Sequence, residues 1–223
     1  MNRLTRFSIL FGVLAGLGAC SYKGGDIGDP IHRKFHWSSF VSGEDMAAIC
    51  AAETPDRVRL VYNAVWGEQV RIYEWDSVRR VLRIRVIGSG DLRGMSLGDP
   101  LGNWRAVEQS VSLDPSAYDE LMAALGESGG FGPPAVGLEL VSRSYYWAAA
   151  TCRQGSFTFT GWKYPSPEFE SARFAAKLFA LDPDRADIRP PAPIPFDVMY
   201  EYNRNQAKVM EFTFKVGPAG LGK

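Results

Sequence analysis

Arg57-Val58-Arg59-Leu60-Val61-Tyr62-Asn63-Ala64-Val65-Trp66 opens the stretch that decides the fold class. Val58, Leu60, Tyr62, Ala64 and Trp66 recur at every second position, the period at which side chains share one face of a strand. The pattern resumes at Val70 to Tyr73 and at Val81 to Ile87, after breaks at Trp66-Gly67-Glu68 and Trp75-Asp76-Ser77 that suit short turns. An antiparallel meander is the expectation. Its third strand, Arg79 to Ile87, sends Leu82, Ile84 and Val86 to one face and Arg79, Arg83 and Arg85 to the other, with Arg71 a candidate neighbour. This arginine row is a candidate site for an anion such as a lipid phosphate or a glycan carboxylate. The alternative is an ordinary solvated face of a half-buried sheet.

Upstream, Ser42-Gly43-Glu44-Asp45 matches a capping box, so a helix is expected from Ser42, with Val41 stapled to Met46. Met46, Ile49 and Cys50 then share its inner face. Downstream, Gly88, Gly90, Gly94, Gly98 and Gly102 punctuate a long connection that misses the spacing of a phosphate cradle and reads as a flexible hairpin loop.

A strand from Ala106 to Leu113 precedes a second helix, capped by Asp114 and begun by Pro115, with Tyr118, Leu121, Met122 and Leu125 on one side. Strands Leu138 to Thr151 and Ser156 to Trp162 follow. Their aromatics Tyr145, Tyr146, Trp147, Phe157, Phe159 and Trp162 are read as core in preference to a groove. Ser166-Pro167 opens a third helix to Leu181, apolar over most of its circumference. Asp182, Asp184 and Asp187 lack the glycine and glutamate of a calcium loop and read as solvated turn acids. A last hairpin is expected from Val198 to Tyr202 and Val209 to Val216. Strand runs that adjoin one another predict an α+β domain, with a predominantly antiparallel sheet of about seven or eight strands and three principal helices.

The beginning of the chain carries a different signal. Arg3 and Arg6 precede an uncharged run, Phe7 to Gly18, too short to span a bilayer, and it ends in Leu17-Gly18-Ala19-Cys20. This stretch resembles the lipobox of bacterial lipoproteins, with Leu17 in the large aliphatic position, Gly18 and Ala19 in the small ones and Cys20 as the residue acylated. The resemblance implies a diacylglycerol thioether on Cys20, cleavage before it and a third acyl chain, of the palmitate kind, on the new amine. Residues 1–19 are then a signal peptide, 20–34 a lipidated tether and 35–223 a single periplasmic domain. Ser21 in place of Asp after the cysteine implies the outer membrane, facing the periplasm.

With Cys20 acylated, Cys50 and Cys152 remain as an even pair in an oxidising compartment. A disulfide is the expectation, two buried free thiols the alternative. Lysine plus arginine equals aspartate plus glutamate at 25 each. Removal of Arg3 and Arg6 with the leader leaves the mature chain slightly acidic, so nucleic acid is not an expected partner. The only histidines, His32 and His36, lie where the tether meets the domain, and their spacing could hold a metal only with ligands the sequence does not supply. A Ser-His-Asp or Cys-His site needs a histidine held beside the nucleophile, and both histidines lie beside the tether; no cofactor is expected, and enzymatic activity is not the favoured expectation. The favoured function is a lipid-anchored cell-envelope protein with a binding or structural role, its partners the membrane and an envelope protein or glycan. A periplasmic hydrolase acting on cell-wall glycan through paired carboxylates is the alternative.

Overall fold

A computed structural model describes residues 21–90 and 98–222. The lipobox, Cys20 included, and Gly94 of the glycine-rich loop lie outside these residues. The chain is α+β, built on a six-stranded antiparallel sheet. Helix α1 (Pro30–Ser42) and helix α2 (Glu44–Ile49) precede β1 (Arg57–Ala64), β2 (Gln69–Asp76), β3 (Val81–Gly88) and β4 (Val107–Ser112). Helix α3 (Pro115–Glu127) leads to β5 (Glu139–Val141), β6 (Tyr145–Arg153) and β7 (Ser156–Lys163). Then come α4 (Pro167–Glu170), α5 (Arg173–Leu181), α6 (Val198–Asn205), β8 (Thr213–Gly217) and β9 (Gly220–Leu221). The large sheet runs β4-β3-β2-β1-β6-β7, and β5-β8-β9 form a small second sheet.

The expected meander is β1 to β3, with Leu60 opposite Tyr73 and Tyr73 opposite Ile84. Its even-numbered face packs Val58, Leu60, Tyr62, Leu82 and Ile84 with Trp147 and Trp162 under Leu121 and Leu125 of α3 and Phe174 and Leu178 of α5. The other face is covered as well, contrary to the half-buried sheet that alternation suggests. Val61, Ile72, Tyr146, Ala148 and Phe159 pack there beneath Trp37, Phe40 and Val41 of α1 and Phe214 and Val216 of β8. A sheet clad on both sides explains why every residue of β6 except Arg153 is buried. Val65 takes a left-handed backbone, φ 67°, and Trp66 packs on the α1 side, leaving the face of Val58 to Ala64 that the period assigned to it.

Several boundaries differ from the sequence expectation. The first helix begins at Pro30, where Asp29 accepts hydrogen bonds from the Ile31 and His32 N–H groups, and Ser42 is its last residue. Gly43 divides α1 from α2. Its φ is 70°, and a Cβ there would lie 2.5 Å from Ala150 Cβ, so glycine is required for both conformation and space. The Ser42 hydroxyl accepts from the Leu221 N–H at 3.1 Å, having no role as an N-cap. Val41 and Met46 are buried in the same cluster, but Val41 lies within α1 and the cap of α2 is Gly43, so the expected staple about Ser42 does not form.

The stretch read as tether packs on the domain: Tyr22 and Ile27 are buried, and Arg33 inserts its guanidinium among the Ile27, Gly28 and Trp104 carbonyls. Those carbonyls fix a segment whose glycines and charges looked solvated. The third expected helix is broken into α4 and α5 around Ser171-Ala172. Val198 to Tyr202 is helical: Asp197 caps it through the Met199 and Tyr200 N–H groups, and Glu201 pairs with Arg204. Cys50 and Cys152 are joined by a disulfide, Cα to Cα 5.7 Å, linking the end of α2 to the end of β6. Among the described residues no helix is long and apolar enough to cross a membrane.

Candidate functional site

Register decides the fate of the arginine row. Pairing of β1, β2 and β3 sets Glu74 opposite both Arg59 and Arg83, and pairing of β3 with β4 sets Glu108 opposite Arg85. A charge ladder results. Arg59 donates to both oxygens of Asp45 at 2.8 and 2.9 Å and through Nε to Glu74 at 2.8 Å, with its guanidinium carbon 3.8 Å from the Phe40 ring centre. Arg85 bridges Glu74 and Glu108, and Arg83 reaches Glu108 at 3.3 Å. Burial pushes the Glu74 carboxyl up, but the two arginines prevail and hold it below the usual carboxylate range.

Arg79, Arg83 and Arg85 therefore do not form the unpaired anion site considered from the sequence. Arg85 is buried between two carboxylates, and Arg79 sits in the β2–β3 turn, 69 % exposed and 3.7 Å from Asp76. Nor is Arg71 beside them: it lies on the opposite face, buried against Asp182. A cleft of about 350 Å³ does open along the ladder, lined by Arg57, Arg59, Arg79 and Arg83 and also by Asp45, Glu74 and Asp76. Charges of both signs at such spacing satisfy one another, which gives a rigid wall in place of an attractive field.

A groove of about 490 Å³ lies between α1, the β1–β2 turn and the strand-like segment entering β8. Trp37 and Trp66 meet at 5.0 Å between ring centres, Trp66 and Phe212 at 5.1 Å, and Phe212 and Phe214 at 4.7 Å. Phe212 is held at both backbone groups: its N–H donates to the Ser142 hydroxyl and its carbonyl accepts from the Ser142 N–H. Arg33 and Lys34 stand on the α1 wall, Met210 and Glu211 on the other. An aromatic wall with the Lys34 ammonium on one rim suits an apolar or amphipathic ligand. Among the described lining residues Glu211 is the one carboxylate, whereas glycoside hydrolysis commonly uses a pair.

This groove was not legible in the sequence. Trp66 marked a turn and Phe212 a strand, and only the fold brings them to Trp37. The aromatics of β6 and β7 do lie in the core, with Tyr145, Tyr146, Trp147, Phe159 and Trp162 all buried. His32 and His36 lie side by side on α1, ring centres 4.4 Å apart and tilted by 39°, with the Tyr22 ring edge-on to His32. Among the described residues no cluster of three or more metal-ligating side chains forms around them. No protein-family model matches the chain, and no curated protein is similar to it.

Proposed function

We propose that this is a lipid-anchored protein of the bacterial cell envelope, held by acylated Cys20 at the outer membrane and facing the periplasm, that works by binding a partner. The observation that carries the reading is Leu17-Gly18-Ala19-Cys20 directly behind a basic start and an uncharged apolar run. The bond between Cys50 and Cys152 supports it, since disulfides persist in oxidising compartments. The aromatic groove supports the binding role: its walls are fixed by ring contacts and backbone hydrogen bonds, and an envelope protein or a glycan with an apolar face suits its chemistry.

Mass spectrometry of the amino-terminal peptide from membranes tests the anchor. Cys20 is expected at the amino terminus with a diacylglycerol and an additional acyl chain, and Cys20→Ala is expected to leave an uncut, unacylated precursor. A wild-type protein that is soluble in the periplasm with residue 20 unmodified overturns the reading. For the groove, a photocrosslinker at Met210, 64 % exposed on its rim, is expected to capture one partner that Phe212→Ser no longer yields.

A further inference from the structure

If Cys20 carries lipid, as proposed above, the fold leaves it almost no leash. Ser21 donates its hydroxyl proton to Glu44 at 2.7 Å, and the Tyr22 N–H donates to the Ser39 hydroxyl at 2.7 Å. The Tyr22 side chain is buried, its ring 5.0 Å from Phe40 and its hydroxyl bonded to the Gly25 carbonyl. Two residues of extended chain reach about 7 Å at most, so no more than that length of chain separates the acylated residue from Tyr22, which is fixed against α1. The headgroup region must then meet the layer formed by α1 and the segment folded over it.

That layer presents apolar groups to the outside. The Tyr22 ring lies over His32 and His36; Ile31 and Phe35 are the positions just before them, about 100° around the helix, and are 57 % and 63 % exposed. Leu101 and Trp104 continue the patch from the neighbouring loop, and Lys34 lines it as well. Lys23, beside the anchor, is exposed as well. Aliphatic and aromatic tips flanked by lysines whose stems can lie along the surface are the composition of interfacial helices. We propose that the domain is seated directly on the bilayer, with Ile31, Phe35 and Trp104 in the headgroup–acyl boundary and Lys23 and Lys34 against lipid phosphates.

The test uses the full-length lipidated protein in vesicles of phosphatidylethanolamine and phosphatidylglycerol. With Cys20 acylated and Cys50 bonded to Cys152, a nitroxide added through Ile31→Cys, Phe35→Cys or Ala176→Cys is the sole label. Ala176 is exposed on α5, which packs on the opposite face of the sheet. At positions 31 and 35 the ratio of oxygen to nickel-complex accessibility is expected to rise several-fold over that at 176, placing the labels about 5–10 Å into the boundary. Labels at 31 and 35 as water-accessible as the one at 176, on a protein whose Cys20 is acylated, overturn the seating and leave the anchor intact. Spin–spin broadening between copies at position 35 assigns the patch to self-association and also overturns it. An unmodified Cys20 overturns both the seating and the anchor.

Discussion

Arg71 Nη1 donates to Asp182 Oδ2 at 2.6 Å across 111 residues of sequence, with each side chain 1 % exposed, and the Tyr73 hydroxyl donates to the same oxygen at 2.8 Å. The pair ties the connector after α5 to the middle of β2. Burial, followed by the neighbouring carboxylate, drives the Tyr73 hydroxyl well above the usual tyrosine range, so it remains a donor at any ordinary pH. Removal of one partner strands a buried charge, which costs about 3–5 kcal/mol, whereas an apolar replacement of both can be near neutral. Asp182→Ala and Arg71→Met are each expected to lower the unfolding free energy from urea titration by that amount, and Arg71→Met with Asp182→Leu by clearly less than their sum. Additive losses would show that the two side chains do not act as a pair.

The charge ladder makes stability depend on acid. Glu74 has its folded-state pKa lowered, so its stabilisation is complete above the ordinary glutamate value of 4.5 and is lost as the pH falls below it towards the folded-state value. In that window the unfolded chain takes up the proton first. The gap in unfolding free energy between wild type and Glu74→Gln is therefore expected to narrow from about pH 5 downward. A gap that stays constant down to acid unfolding would remove Glu74 as the cause.

What the sequence made legible follows from how long each periodic run is and how its polar residues are paired. Val58 to Ile87 held the period of a strand over three elements, and the meander followed. Val198 to Tyr202 spans too few residues to separate the period of a strand from that of a helix, and the Asp197 cap decided it. The second face of the sheet looked solvated because Arg59, Asn63 and Arg85 interrupt its apolar residues. Each is buried and paired: Arg59 with Asp45, Asn63 with the Ser142 carbonyl and Arg85 with Glu74. Such pairings depend on register and on α2, neither of which one strand's pattern contains. Asp182 was misread for the same reason, its partner lying on a distant strand.

Two glycines separate conformation from space. Gly67 has φ 86° and open space where a Cβ would stand, with nothing within 4 Å, so Gly67→Ala is expected to cost only the left-handed backbone penalty of about 1–2 kcal/mol. Gly43 has φ 70° and faces Ala150 Cβ at 2.5 Å, so Gly43→Ala must also displace α1 and α2 from β6. Its chemical-denaturation midpoint should fall clearly further than that of Gly67→Ala. Equal losses would mean that the helix junction accommodates the methyl group.

The Cys50–Cys152 bond joins residues 102 apart, closing a loop around the β1–β6 strands and α3. In the chain-entropy model a loop of that size contributes about 4.7 kcal/mol, and measured contributions of about 2–4 kcal/mol are typical. In a domain of this size each kcal/mol moves the thermal midpoint by about 2–4 °C. Reduction is thus expected to lower Tm by roughly 10 °C, a large share of the margin set by a net stability of about 5–15 kcal/mol. Cys50→Ala and Cys152→Ala should each reproduce the loss, and the double variant should add little, because either one alone opens the loop. Thiol labelling of the unreduced protein should find both sulfurs blocked. Cys152 is 1 % exposed, so labelling must be carried out after unfolding without reductant. Two reactive thiols under that condition, or single variants whose losses sum in the double, would leave α2 held to β6 by packing alone.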